Sequence, residues 1–299
     1  MKSLILKVFK WIAKQIISIA DRNLLIKISN MLSKLNLWIE VRLRRLDADE
    51  QQKCYSVNGV LRKFILKHDA PWLDVKISET KIPGMISEEE KRYYTWLGQF
   101  YTAGEIVELG PWLGCSTCYI LEGLRKNPNF KGKKIYVYDD FVWRSAWMDR
   151  CYSAYDQPPS NHEDFKYLFD KFTEYAKDFM VVNRRRLSTG ELEEDKGKVI
   201  NPYDKIIDIP PLQWNEGPVE ILFVDVGRTI DVNEAWWLVF FPYFIPNKTL
   251  IVMQDWQTHK EVPVKWYNQM KMFTDGKHQW LEIIHELSQG GIATFLFKC

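Results

Sequence analysis

The first 46 residues contain no apolar run long enough to cross a bilayer, because a lysine or arginine interrupts each one. The same interruptions argue against a secretory leader, which is not expected here: Lys7, Lys10 and Lys14 break the apolar region, and no clear small-residue cleavage site follows. Cysteine is scarce. Five in 299 residues form an odd set without framework spacing, which argues against a disulfide scaffold and for a reducing, cytoplasmic setting. Charge of one sign is nearly balanced out: 41 Lys and Arg against 39 Asp and Glu leave +2. Such a balance gives no global attraction to nucleic acid, which is not expected as a partner. There is no internal repeat and no low-complexity tract.

Hydrophobic residues make up 46% of the chain and charged residues 27%, enough to bury a sizeable core. Aromatics stand out, with 13 Trp, 14 Tyr and 16 Phe. Most belong in a core, and a surplus suits a groove for flat or ring-shaped ligands. The N-terminal segment differs from the rest. Leu4, Ile5, Val8, Phe9, Ile12, Ile16 and Ile19 recur at helical spacing, while Lys2, Lys7, Lys10 and Lys14 fall largely elsewhere. Two readings stand. Residues 1–20 form a helix that packs on the chain's own globular domain or on a second subunit, as in a homo-oligomer. Alternatively they lie on an anionic membrane surface, which would place the protein peripherally at the inner membrane face. Ser87 and Glu90 form a capping box for a helix carrying Tyr93, Trp96, Leu97 and Phe100. The expected organisation is a helical extension over residues 1–85 and a larger domain over residues 86–299.

In that larger domain, short apolar runs alternate with helical patterns. EIVEL (105–109), KIYVYD (134–139), FMVVN (179–183), VEILFVD (219–225) and TLIVMQD (249–255) predict strands; STCYILEGLRK, HEDFKYLFDKFTEYAK and VNEAWWLVFFPYF predict the helices between them. This alternation predicts an α/β fold, a Rossmann-like, doubly wound and mostly parallel sheet covered on both faces. At the end the rhythm breaks: WLEIIHEL, SQGG and IATFLFK predict a terminal antiparallel hairpin at the sheet edge.

Ligands of open parallel sheets bind outside the carboxyl ends of the strands, where strand order reverses. The stretch EIVELGPWLGCSTCYI (105–120) supplies what such a rim uses. Gly110 and Gly114 have no Cβ to obstruct a ligand near the backbone, Ser116 is placed as a helix N-cap or ligand contact, and Glu108 ends the strand. A nicotinamide fingerprint would need glycines where Trp112 and Cys115 stand. The observed pattern, Glu-x-Gly-x-x-x-Gly-x-Ser, instead resembles motif I of class I S-adenosylmethionine-dependent methyltransferases. That resemblance covers roughly residues 90–299. It implies S-adenosyl-L-methionine as cofactor, held at Glu108, Gly110, Gly114 and Ser116, and an acid at the end of the second strand on the ribose hydroxyls. YVYDDF supplies Asp139 for that role, with Asp140 beside it. YDDF, ILFVDVGRT and FIPNKTLIVMQDW are most similar to the small-molecule and sugar O-methyltransferase branch.

That branch often holds Mg²⁺ with acids at the fourth and fifth strand ends, positions matched by Asp225 and Asp255. Two converging carboxylates suit Mg²⁺, which eases loss of a proton from a bound hydroxyl. The chain departs from the branch at Gln254, where a second acid is usual, and at VGRT, where an acid or His is usual. Asp255 is thus a metal ligand or a substrate-binding or capping group. His259, one helical turn on, is either a general base for the acceptor proton or a surface-loop histidine. Arg184, Arg185 and Arg186 are either a clamp for an anionic acceptor or a solvated charge run. Trp143 and Trp147 are candidates for an aromatic lid, and the Cys115–Cys118 spacing suits a structural role. The resemblance implies methyl transfer to an oxygen of a sugar or other polyhydroxylated small molecule. A methyltransferase-fold binding or scaffold protein without catalysis is the alternative, and a nucleotide-dependent oxidoreductase is disfavoured by the glycine spacing.

Overall fold

The computed structural model describes residues 70–100, 104–130, 132–152, 156–187, 193–195, 198–200, 209–260 and 265–298. The amphipathic segment at residues 1–20 lies outside them. The chain divides into two units, Met1–Phe64 and Ile65–Cys299. Trp72 lies in the second. It is fully buried, packs edge-on against Tyr93 at 5.0 Å, and donates its indole N–H to Glu89 at 3.0 Å. Ala70, Trp72 and Ile82 therefore belong to the core of the second unit.

The second unit alternates helix and strand. Its elements run α1 (Glu88–Phe100), β1 (Glu105–Leu109), α2 (Cys115–Arg125), β2 (Ile135–Asp139), α3 (Ser145–Tyr152), α4 (Lys166–Thr173) and β3 (Met180–Arg184). A small antiparallel pair follows, β4 (Glu193–Asp195) and β5 (Lys198–Ile200). Then come β6 (Val219–Val224), α5 (Ile230–Phe240), β7 (Leu250–Met253), α6 (Lys265–Gly276), β8 (Leu281–Glu286) and β9 (Ala293–Phe297). Seven strands form one sheet in the order β3-β2-β1-β6-β7-β9-β8. The first five are parallel; β9 runs antiparallel to both β7 and β8. The fold is the expected Rossmann-like sheet with a terminal hairpin. The returning strand β9 pairs inward against β7, so β8 forms the edge.

Strand periodicity explains the layers. Successive side chains point to opposite faces, so Ile106, Ile221, Phe223 and Val252 join one apolar cluster, with Leu97 of α1 and Leu121 of α2. Val107, Leu222, Val224 and Ile251 join the other, with Trp236 and Phe240 of α5. Both faces are covered, which is why these strands read as continuous apolar runs rather than alternating ones. The capping box opening α1 forms as expected: the Ser87 N–H donates to Glu90 Oε2 at 2.6 Å, and the Glu90 N–H donates to Ser87 Oγ at 3.2 Å. Among the described residues no helix is long and apolar enough to cross a membrane.

The chain steps outward from β1 to β2 and β3, then crosses back to place β6 on the other side of β1. That reversal puts the topological switch point between β1 and β6, where a crevice opens at the carboxyl ends of the strands.

Candidate functional site

The rim at the switch point is tied together one residue beyond the strands. The Gly110 N–H donates to the Tyr138 carbonyl, Asp225 to Leu109, Gln254 to Val224 and Arg185 to Asp139, each at 2.9 Å. Asp139, Gly110, Asp225 and Asp255 are thereby brought to one edge of the sheet.

The loop between β1 and α2 needs its two glycines for a different reason from the one the sequence suggested. Gly110 has φ +80, and a Cβ there would stand 2.0 Å from the Asp225 carbonyl oxygen. Gly114 has φ +90, and its Cβ would stand 2.3 Å from Thr173 Cγ2. Protein atoms, not an open ligand path, fill both directions. Gly114 is itself the N-cap of α2, without a side-chain cap. Ser116 is therefore not the N-cap; its hydroxyl lies inside the first turn and donates to Glu108 Oε1 at 2.5 Å. The Thr117 hydroxyl donates to Glu108 Oε2 at 2.6 Å. Glu108 thus fastens the helix start to the strand end. The first N–H groups of α2 lack intrahelical partners by helix geometry, which makes the loop a place for a polar or anionic group. Burial pushes the Cys115 thiol up to about 12, so it is a protonated packing group. Cys115 and Cys118 are both free thiols.

Burial also raises the Glu108 carboxyl from 4.5 to about 7, opposed by the Ser116 and Thr117 hydroxyls. A carboxyl whose folded pKa lies above its unfolded one keeps a proton that the unfolded chain has released. The stability this carries is complete below pH 4.5 and is lost as pH rises to about 7. Glu108→Gln has no proton to lose, and rotatable hydroxyls can satisfy an amide. Urea unfolding of both proteins across this window should show wild type falling relative to Glu108→Gln by on the order of 2–3 kcal/mol. Parallel profiles would show that Glu108 ionises in the fold like an exposed acid.

At the end of β2 the two acids separate in role. Asp140 takes a bidentate ion pair from Arg144, with Nη1 to Oδ1 at 3.0 Å and Nη2 to Oδ2 at 2.7 Å, and also accepts from the Val142 N–H. Asp139 accepts the Phe141 N–H on Oδ1 at 2.7 Å. Burial first, then the charge of Asp140, raises the Asp139 pKa, opposed by the Phe141 and Trp112 N–H groups and Arg144. Trp112 sits between the two loop glycines in the left-handed region at φ 48. Its indole Nε1 is buried and meets no hydrogen-bond partner among the described residues. A buried donor without a partner is rare enough to need an explanation. An adenosine cofactor fits this arrangement: a carboxyl group for hydroxyls at Asp139 and a helix N-terminus between β1 and α2.

Across the switch point, Asp225 and Asp255 share one cation, Arg228. Arg228 Nη2 lies 3.6 Å from Asp225 Oδ1 and forms a close ion pair with Asp255 Oδ2. Burial raises the Asp225 pKa; Arg228 opposes this, while Asp255, Glu90 and Glu108 add to it. Asp255 has φ 60, and the backbone of Gly291 packs so close that a Cβ there would stand 2.6 Å from Asp255 Cα. Mg²⁺ does not fit this donor set. The sequence expected two carboxylates facing an open position; here the guanidinium pairs with both, and a dication would be placed against a fixed positive charge. No group of three metal-ligating side chains occurs among the described residues.

Other candidates are distributed differently. His259 Nδ1 faces the Trp256 carbonyl at 2.5 Å. Burial lowers its pKa, and the charges acting on it are Lys260, Lys271 and Asp275, on its own turn and on α6. Arg184 pairs with Asp164, and Arg185 donates to the Arg184 carbonyl at 3.1 Å. Trp143 is fully buried and donates to Asp149 at 2.7 Å, so it is core and not lid; Trp147, on α3, is exposed.

The sequence reading missed the contribution of α1. Gln254 is buried between Tyr94, whose hydroxyl donates to Oε1 at 2.7 Å, and Glu90, whose Oε1 accepts from Nε2 at 2.8 Å. Glu90 Oε1 also accepts the Gly291 N–H at 2.9 Å. The signal was present in Glu89 and Glu90, whose spacing from Tyr93 and Tyr94 places acids on the same side of α1 as the buried aromatics.

No protein-family model matches the sequence, and no curated protein matches it. Among solved structures, the chain is similar to the methyltransferase PaMTH1 of Podospora anserina bound to SAH, at 12% identity and a TM-score of 0.42, covering 72% of this chain and 80% of that one. It is similar to the O-methyltransferase TomG of Streptomyces achromogenes in complex with SAM, at 14% identity and 0.43, covering 72% and 82%. A third is the Bacillus cereus O-methyltransferase in complex with SAH, at 12% identity and 0.41, covering 78% and 89%. These likenesses are weak, and the functional reading rests on the site's own residues.

Proposed function

We propose that the protein transfers a methyl group from S-adenosylmethionine to an oxygen of a sugar or other polyhydroxylated small molecule. The observation that carries this reading is the adjacency of Asp139 and the Gly110–Gly114 loop, whose Trp112 backbone N–H acts on the Asp139 carboxyl, at the switch point, in a chain with the Glu-x-Gly-x-x-x-Gly-x-Ser pattern. When bound, the sulfonium cofactor supplies an already activated methyl group. The chain's own residues then have to orient two partners and accept one proton. Asp139 would hold the ribose hydroxyls, and the first turn of α2 would face the polar end of the cofactor. Asp255 lies on the β7 side of the crevice, where an acceptor hydroxyl would enter. His259 is a second proton acceptor: its short contact to the Trp256 carbonyl needs a proton on Nδ1, which leaves the Nε2 lone pair for a substrate proton.

Calorimetric titration with S-adenosylhomocysteine tests the reading. Wild type should bind, and Asp139→Ala should bind more weakly by about 0.5–1.5 kcal/mol, the range for an ordinary hydrogen bond. Equal affinity in a folded Asp139→Ala protein would remove Asp139 from the site. Tight NADH binding in place of S-adenosylhomocysteine would favour an oxidoreductase.

A further inference from the structure

The loop Asp225–Thr229 joins β6 to α5, and Thr229 caps that helix by accepting the Val232 N–H. The cap ends the loop abruptly and leaves Arg228 immediately before it, where its side chain lies across the rim to Asp255. Around Arg228 the rim is acidic. Asp225 and Asp255 contact it directly, and Glu90 and Glu108 are close enough to act on Asp225 and on Tyr94. Gln254, the neutral neighbour of Asp255, has its amide committed to Tyr94 and Glu90.

We propose that Arg228 is a resident counter-cation that stands in for a divalent metal at the Asp225–Asp255 pair. Two carboxylates leaving adjacent parallel strands repel each other unless a positive charge lies between them, and either a metal ion or a guanidinium meets that need. The guanidinium is planar, permanently charged and able to contact two carboxylates at once. Because it is covalently held, it fixes the direction of Asp255 in every state of the protein, whereas a metal would do so only when bound. Arg228 is thus a positioning residue for Asp255. The inference rests on the ion geometry and stands apart from the methyl-transfer reading, whose failure the S-adenosylhomocysteine titration reports separately.

Electron paramagnetic resonance titration with Mn²⁺ tests it on the full chain, since Mn²⁺ binds oxygen donors and its free signal falls on binding. Wild type and Arg228→Lys should leave Mn²⁺ free up to roughly millimolar concentration. Arg228→Ala should bind Mn²⁺ at least about tenfold more tightly than wild type, and Arg228→Ala with Asp255→Asn should lose that gain. Mn²⁺ binding by wild type that disappears in Asp255→Asn would overturn the proposal, as would a folded Arg228→Ala protein that binds no more tightly than wild type. The wild-type and Asp255→Asn titrations decide the matter even where Arg228→Ala does not fold.

Discussion

Gly110→Ala should destabilise the protein by more than about 3 kcal/mol, a large fraction of the stability of an ordinary domain. Two costs combine. At φ +80 an L side chain is strained, and the new Cβ would lie 2.0 Å from the Asp225 carbonyl oxygen. That oxygen belongs to backbone, so no side chain can rotate away. Relief requires β1 and β6 to separate at the rim, which breaks the Asp225 to Leu109 bond and strains the Gly110 to Tyr138 bond. Gly132→Ala is the control. Gly132 has φ +73 but nothing within 4 Å of its Cβ position, so it should cost only the backbone strain, about 1–2 kcal/mol. Urea unfolding of both variants separates collision from strain. A Gly110→Ala protein as stable as Gly132→Ala would mean that the rim tolerates the contact.

Glu90→Ala should cost about 3–5 kcal/mol by the same measurement. Its carboxylate accepts from the Ser87 N–H, the Gly291 N–H and the Gln254 side chain, and the residue is only 2% exposed. Removing it leaves the buried Gln254 amide donor without its acceptor and costs the part-buried Ser87 and Gly291 N–H groups theirs, and a stranded buried donor carries a desolvation cost of about 1–3 kcal/mol. The loss should also loosen the 288–291 turn, which packs on Asp255, so hydrogen exchange at Gly291 should speed up. Glu90→Gln keeps the shape and one acceptor oxygen and should cost less. If Glu90→Ala and Glu90→Gln unfold at the same urea concentration as wild type, the bonds from α1 to the terminal hairpin contribute nothing to stability.

The strands were legible because each is a short apolar run bounded by polar or turn residues. EIVEL matches β1 residue for residue, and the SQGG turn falls where the last two strands join. The helix Lys265–Gly276 and the pair β4–β5 were not anticipated. The site was legible in part. Asp140 is claimed by Arg144, one turn on, a partner that the adjacent letters DD do not announce. The glycines were in the right places, but their neighbours are Asp225 and Thr173, which lie 115 and 59 residues away from Gly110 and Gly114 respectively. Trp143 reads as a lid candidate from the sequence, since a single tryptophan in a loop carries no periodicity to show that it is buried in the core.

The sequence by itself determined the order of elements, the two-faced burial of the strands and the rim on which the polar residues gather. Those follow from local rules: the period of two along a strand, the capping chemistry of Ser87 and Glu90, and the need of a tight turn for glycine. Only the tertiary structure decided what those polar residues touch. Glu108 is claimed by Ser116 and Thr117, Gln254 by Tyr94 and Glu90, and Asp255 by Arg228. The physical reason is that a buried polar group must find a partner wherever the fold supplies one, and most of these partners arrive from other elements. Charge and spacing along the chain show that a carboxylate is available at a strand end; whether it faces a metal, a ligand or a neighbouring arginine depends on distances that exist only after the sheet has formed.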